Sequence, residues 1–267
     1  MSAYLSVCKL RFINGLQYRT AAFAGLTTQL FFGLIFIMVY VAFYNGSTKA
    51  LPMELNEVVT YVWLQQIFLG LIMLWLRDNE IFGLITNGNI AYELCRPVEM
   101  YGFWYSKLLA QRVANTVLRC LPIAFIVLLL PQPYRLSLPH SWSSFTLFLI
   151  ALLLGLLVTV SISMLIYISV FWTMSPVGSI MMIAVASELL AGMILPIPLM
   201  PIWMQNITYF LPFRWTVDFP FRVYSGHIPY MEAIWGIAIQ LIWLILLIAV
   251  GTWCLRKALR RVVLQGG

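Results

Sequence analysis

Six stretches of the chain are almost continuously apolar: residues 21–43, 58–76, 107–130, 145–171, 177–195 and 233–255. Each meets or approaches the roughly 20 residues that a helix needs to cross a bilayer's hydrocarbon core. The third is the least clean, because Arg112, Asn115 and Arg119 fall inside it. None of the runs shows the short alternating segments of a membrane β-strand, so helices are the spans the pattern admits. The pattern predicts an all-α integral membrane protein with six transmembrane helices, forming a single transmembrane domain over residues 1–267. Ahead of the first run, Leu5, Cys8, Phe12 and Leu16 recur at helical spacing, with Lys9, Asn14 and Gln17 off that stripe. This predicts an N-terminal interfacial helix within residues 1–20, lying on the inner leaflet. A plain basic flank is the other reading.

The connections differ in kind. Residues 44–57 and 131–144 are short outer loops, and 172–176 is a tight inner turn. Residues 77–106, on the inside, and 196–232, on the outside, are long, and long loops are where function tends to sit. In the inner one, Asn87-Gly88-Asn89 is a break, since Asn-Gly favours turns. Ile90-Ala91-Tyr92-Glu93-Leu94 then suits a short helix, stopped at Arg96-Pro97 because the residue before proline avoids the helical region. The result is a small structured knob. Tyr92 and Leu94 with charged neighbours could dock a soluble partner, or the loop could pack on the protein's own helix ends.

In the outer segment Pro196, Pro198 and Pro201 end the fifth run, each lacking an N–H. A short amphipathic helix is expected over 203–210, with Pro212 and Pro220 punctuating the stretch beyond it. Arg214 and Asp218 lie four apart and would suit a local ion pair if that piece is helical. Trp203, Tyr209, Trp215 and Tyr224 belong at headgroup level. The segment is either an aromatic loop resting on lipid or a gate over an exit path.

Composition agrees with the spans. The chain is 62% hydrophobic and 9% charged, where a soluble domain carries about 25% charged residues. Mean hydropathy is +0.92. The net charge of +7 would raise nucleic acid as a partner in a soluble protein. Here Lys and Arg mark the cytoplasmic side instead, and no nucleic-acid partner is expected. With the N-terminus inside, the inner side holds Lys9, Arg11, Arg19, Arg77, Arg96, Lys107, Arg256, Lys257, Arg260 and Arg261, and the outer side Lys49, Arg135, Arg214 and Arg222. Ten against four places both termini in the cytoplasm. The first apolar run is too long for a signal-peptide core, so no cleaved leader is expected. Cys8, Cys95, Cys120 and Cys254 show no metal or redox spacing, and no disulfide is expected.

Candidate chemistry is sparse. Glu188 sits mid-way in the fifth run, where a carboxylate must be paired, protonated, or facing protein or water. Arg112, Asn115 and Arg119 share a similar face of the third. Glu188 could pair with Arg119, line a substrate path, or lie at a dimer interface. Gly155, Thr159, Ser161, Ser163 and Ser169 suit close helix packing. Met181, Met182 and Met193 give the fifth run a soft surface, and Gln65 and Gln66 are left unassigned. His140 and His227 read as ordinary surface histidines, so no metal site is expected. A membrane-embedded lipid-modifying enzyme would need clustered His, Asp or Glu, which are scattered here. An ion-coupled secondary transporter would show several buried charges and broken helices near the midplane, of which Glu188 and Arg119 are a thin version, and no internal repeat is visible. The chain has no G-x-x-x-x-G-K-[ST] phosphate loop, so it is not expected to bind or hydrolyse ATP, and no cofactor is expected.

Gly88…Leu94-Cys95-Arg96-Pro97, between the second and third runs, resembles the G-x-x-x-x-x-L-x-R-P loop in the membrane subunits of type-2 ABC exporters. The outer stretch LPIPLMPIWMQNITYFLPFRW, residues 195–215, is similar to that family's Pro-Leu pair, Pro-x-Trp turn, amphipathic helix and closing Leu-Pro-Phe. The layout matches over nearly the whole chain; Cys95 stands where an apolar residue is expected. The resemblance implies a permease subunit in a bacterial inner membrane that moves a lipid, glycan, peptide or drug-like substrate outward. Ile90, Tyr92, Glu93, Leu94, Arg96 and Pro97 would then form a coupling helix seated in a separate ATPase subunit, which binds the ATP and magnesium. A second permease, identical or homologous, would complete the dimer. Pro198, Pro201, Trp203, Pro212 and Phe213 would belong to re-entrant outer helices that gate the exit.

Overall fold

A computed structural model of the chain describes residues 3–17, 19–48 and 50–260. Lys49, Arg261 and the side chains of Leu16, Gln17 and Arg19, which bear on the expectations for the N-terminal helix and the charge balance, lie outside the described residues. The described residues form twelve α-helices and no strand. In chain order these are α1 Ala3–Gln17, α2 Arg19–Gly46, α3 Leu55–Ile67, α4 Leu69–Ile72, α5 Asn79–Thr86 and α6 Ile90–Leu94. They continue as α7 Met100–Leu128, α8 Trp142–Thr173, α9 Pro176–Leu190, α10 Ile202–Tyr209, α11 Asp218–Ser225 and α12 Tyr230–Leu259.

Four helices are long and apolar enough to cross a membrane: 23–46 within α2, then α7, α8 and α12. They correspond to the first, third, fourth and sixth runs. Helix α8 is the axis of the molecule, packed against α12, α11, α9 and α5. Its small residues permit this: a Cβ on Gly155 would sit 3.2 Å from the Trp215 carbonyl oxygen. Around it, α2, α9 and α12 turn Phe31, Val39, Met182, Val185, Ile242 and Ile245 outward. So much exposed apolar surface suits lipid and not water.

The second and fifth runs depart from the expected continuous spans. The second is cut into α3 and α4, with Phe68 between them and Met73 extended (φ −69°, ψ 123°). Helix α3 is nevertheless buried at every position from Val58 to Ile67. The fifth is a helix of 15 residues, about 22 Å at 1.5 Å per residue. It stops where Gly192 takes a left-handed φ of +83°. The Gly192 carbonyl accepts hydrogen bonds from Tyr61 Oη and Gln65 Nε2, both at 2.9 Å, pinning the end of α9 to α3. Hydropathy along a chain registers neither interruption, because both are set by partners remote in sequence.

The N-terminal helix is present, and its packed face follows the expected stripe in part: Cys8 and Phe12 are half-buried and Leu5 is exposed. Tyr4, Val7, Cys8 and Arg11 turn inward and Leu5, Leu10 and Ile13 outward. Helix α1 lies along α7 so closely that a Cβ on Gly15 would stand 2.6 Å from Ala114 Cβ.

Candidate functional site

The knob forms where the sequence placed it, and two helix caps fix its flanks. Asp78 precedes α5, and its side chain accepts from the backbone N–H of Glu80 and Ile81. Glu99 precedes α7 and accepts from Tyr101 and Gly102. Carboxylates at helix N-termini satisfy otherwise unpaired N–H groups and complement the helix dipole. Between the caps, Gly88 takes a φ of +72° that a side chain would resist. This lets the chain reverse into α6.

The six knob residues divide into two sets. Ile90 and Glu93 are buried, while Tyr92 is 73% exposed and Leu94 44%. Arg96 and Pro97 are exposed as well. Glu93, expected among the docking residues, turns inward: it accepts from Trp104 Nε1 at 3.3 Å and pairs with Arg96 at 3.3 Å. Arg96 also lies over the Phe103 ring, 5.1 Å from its centroid. Glu93 thus ties the knob to α7, and the outward surface is Tyr92, Leu94, Arg96 and Pro97. Cys95 is exposed too. A second set of charges binds α1 to this region. Glu80 bonds both Arg11 of α1 and Lys107 of α7, the latter at 3.0 Å, and Arg11 also reaches Asp78 at 3.5 Å.

Upstream of the knob, the non-helical joint after α4 is clamped by the intramembrane arginine of α7. Arg112 is almost wholly buried. Its Nη1 donates to the carbonyls of Leu71 at 3.1 Å and Met73 at 2.7 Å, and its Nη2 to Ser163 Oγ at 2.8 Å. Carbonyls freed by a broken helix at membrane depth need internal donors, and this guanidinium supplies them. Tyr167 Oη accepts from the Asp78 N–H at 2.7 Å, and its ring stacks on Phe82 at 4.3 Å. Helix α5 is thereby fixed to α8. Asn115, one turn beyond Arg112, is half-buried beside Gly70.

The expected pairing of Glu188 with Arg119 is absent from the ion pairs of the described residues. Glu188 Oε1 instead accepts from the Trp75 indole. Arg119 bears on α2, where a Cβ on Gly25 would meet its guanidinium at 2.5 Å. Glu188 is bonded to the stretch between α4 and α5 and Arg119 lies against Gly25 of α2, which residue type alone does not reveal. Glu188 lines a pocket of about 250 Å³ between α2, α3 and α9, together with Gln29, Gln65, Gln66 and Phe36.

In the outer segment α10 is exposed and α11 buried. Pro201 and Trp203 face outward, and Pro198, Pro212 and Phe213 are half-buried. Asp218, completely buried, pairs with Arg222 at 3.1 Å and accepts from the Ile197 N–H at 3.3 Å. The expected Arg214–Asp218 pair does not form. Arg214 belongs to a 3₁₀ turn, Phe213–Trp215, that ends before α11 begins. Only Arg222 shares a helix face with Asp218. Arg214 packs instead on the Tyr209 ring, 4.0 Å from its centroid. Gln240 of α12, which no sequence pattern singles out, joins the segment to α8 by donating to Trp215 O at 2.7 Å and Ala151 O at 3.0 Å.

His227 is likewise no isolated surface histidine, since its Nδ1 lies 3.1 Å from Glu57 Oε2. Burial pushes the Glu57 carboxyl up, but the His227 bond, the Glu54 N–H and nearby Arg222 outweigh it and hold it below the usual carboxylate value. The capping box formed by Glu54 and Glu57, both halves present, lies within three residues and so was within local reach of the sequence. The histidine partner, far along the chain, was not.

No curated protein is found to match the chain. A family model described as ABC-2 family transporter protein matches residues 24–266. That match takes in the four long helices, the knob and the outer segment alike. The chain therefore belongs to the ABC-2 family and is the membrane component of an ABC transporter.

Proposed function

We propose that this chain is one of two permease subunits in an exporter whose ATP is hydrolysed by separate subunits. Membership in the family supports the general scheme, because ABC-2 membrane subunits lack ATPase domains and generally pair with ABC ATPases. It displaces the secondary-transporter and lipid-modifying readings. The observation that carries the proposal is the division of the knob. Ile90 is buried, Glu93 is bonded to Trp104 of α7, and Arg96 reaches back to Glu93 and the Phe103 ring, leaving Tyr92, Leu94 and Pro97 as the exposed tip. A loop built only to pack on its own helix ends would not leave Tyr92 outside.

In this reading the tip sits in a cleft of the ATPase, on the cytoplasmic side of a bacterial inner membrane, with both termini on that side. α3–α4 and α9 complete the six membrane segments, shorter than a full span because each is pinned to its neighbours. ATP binding draws the two ATPases together and displaces the tip. The Glu93–Trp104 strut transmits that movement to α7, and the joint at residues 73–77 lets α3 respond separately. The pocket around Glu188 and Gln29, lined mostly by apolar groups such as Phe32, Phe36 and Met193, lies where α2 and α9 leave an opening, and serves as the cargo's entry from the membrane. The outer segment around Pro198, Pro201, Trp203, Pro212 and Phe213 closes the exit, and cargo moves outward.

The test is purification of the chain with a phosphate-loop ATPase, followed by the pair Tyr92→Ala and Leu94→Ala. Transport and its stimulation of ATP hydrolysis should fall while the permease keeps its melting temperature. A working assembly that never contains an ATPase, or transport unaffected by the double substitution, sinks the proposal.

A further inference from the structure

At the outer end of the molecule a cavity of about 380 Å³ opens between the 3₁₀ turn Phe213–Trp215, α11 and the first turns of α12. Arg214, Trp215 and Arg222 are among the residues that line it. Arg214 Nε, Arg222 Nε and Trp215 Nε1 are buried and have no hydrogen-bond acceptor among the described residues. Arg214 and Trp215 are themselves more than nine-tenths buried. Buried N–H groups are almost always paired, and three unpaired ones in residues that line one cavity leave donor capacity beside it. The charge agrees: two guanidiniums stand there against one buried carboxylate, Asp218, which is already taken by Arg222 and the Ile197 N–H. Asp218 is not among the lining residues, and the one acid that is, Glu232, is exposed at the rim.

The mouth has a second feature. Trp235 and Ile239 of α12 line it and begin an exposed apolar stripe that continues through Ile242 and Leu246. From Trp235 to Leu246 that stripe runs about 16 Å at 1.5 Å per residue, close to the ~15 Å of one leaflet's hydrocarbon. A ligand that fits both parts has an acceptor-rich anionic group at one end and a chain of leaflet length at the other. We propose that this cavity binds the headgroup of a membrane glycerophospholipid. Its phosphate meets Arg214, Arg222 and Trp215, and an acyl chain lies along Trp235, Ile239, Ile242 and Leu246. Glu232 at the rim would repel a headgroup that is anionic throughout. It favours one bearing an ammonium beyond the phosphate, of the phosphatidylethanolamine class. The site needs no nucleotide, cargo or partner subunit, so it stands or falls independently of the export reading.

The experiment is native mass spectrometry of the delipidated full chain offered phosphatidylethanolamine, phosphatidylglycerol or diacylglycerol, with inorganic phosphate as competitor. Phosphatidylethanolamine should be retained over diacylglycerol by about tenfold, the range of one or two charge-assisted hydrogen bonds. Arg214→Gln should remove that preference. Equal retention of the two lipids, or an unchanged preference in Arg214→Gln, overturns the proposal. So does inorganic phosphate displacing the lipid at equal concentration, which would make the cavity a site for free anions. If Arg214→Gln does not fold, the exposed Glu232→Gln decides. A narrowed preference for phosphatidylethanolamine over phosphatidylglycerol supports the site, and an unchanged one refutes it.

Discussion

Residues 73–99 and residues 191–229 each interrupt the long helices with short ones, and they are held by opposite means. The first is pinned by many polar bonds: the Asp78 and Glu99 caps, Glu80 between Arg11 and Lys107, and Glu93 between Trp104 and Arg96. Its apolar tip, Tyr92 and Leu94, is left outside. The second is pinned by rings and prolines around one largely buried ion pair, Asp218–Arg222, and its apolar residues on α11 are turned in. The polar bonds of the first join buried groups, Asp78, Glu93 and Lys107, to partly exposed ones, Arg11, Glu80 and Arg96, so such an elbow can be firm and still present a surface. A segment packed among membrane helices must satisfy its backbone internally and has no such freedom. The contrast fits a part that another protein grips and a part that plugs.

Arg112→Met should be the most damaging way to break that contrast. It removes the donor from the Leu71 and Met73 carbonyls, at about 1–3 kcal/mol for each buried group left unsatisfied. The joint should loosen and the melting temperature fall steeply. A variant as stable as the native chain would mean that the joint is held by packing alone. Asp218→Asn is milder. The amide keeps an oxygen for the Ile197 N–H but leaves Arg222 without its charge partner, at about 1.5–3 kcal/mol. Thermal unfolding in detergent measures both. If Asp218→Asn proves neutral, the outer segment owes its order to prolines and rings.

Glu93→Gln sharpens the comparison from the inner side. Trp104 keeps an acceptor and the half-exposed Arg96 loses an ion pair, so stability should drop by no more than about 1 kcal/mol. The strut is nevertheless weakened. ATP hydrolysis in the assembled complex should become less responsive to cargo while the tip still docks. Tyr92→Ala should weaken docking itself. Pull-down of the ATPase separates the two, and equal losses of docking would mean that Glu93 belongs to the contact surface after all.

The readable parts were those fixed locally. The knob's bounds came from Asn87-Gly88 and Arg96-Pro97, two dipeptides that constrain their own backbone, and the structure has α6 between them. The long runs came from length and apolarity, and four of six emerge as long helices. What escaped was decided at a distance. Nothing near Phe68 announces that the second run breaks, because the donor that makes the break tolerable, Arg112, lies 41 residues from Leu71. Asp218 has an arginine four residues away on either side. Only the start of α11 chooses Arg222 over Arg214. Glu93 and Tyr92 look equally suited to docking in the sequence, and α7 beside them assigns one inward and one outward. Glu188 asked for a partner and found an indole instead of a cation.

The smallest expected effect concerns how the outer end is fastened to α3. Glu57, just ahead of the buried part of α3, bonds His227 beyond the end of α11. Arg222 lies near enough to favour its charge, and Tyr44 is a further titratable neighbour. Its carboxyl titrates below its ordinary value of 4.5, so the folded state prefers the ionised form. That contribution is fully present above the unfolded value and is lost as the pH falls through the folded one. Both side chains are partly solvated, so the loss should stay under about 1 kcal/mol. The melting temperature should dip slightly more on acidification in the native chain than in Glu57→Gln, which has no charge to lose. Adding salt should shrink the difference, as screening requires of a partly exposed pair. Identical acid profiles would show that His227 holds Glu57 no better than water does, and that this segment is fastened to α3 by the Tyr61 and Gln65 bonds to Gly192 and the packing of Phe221 on Tyr61.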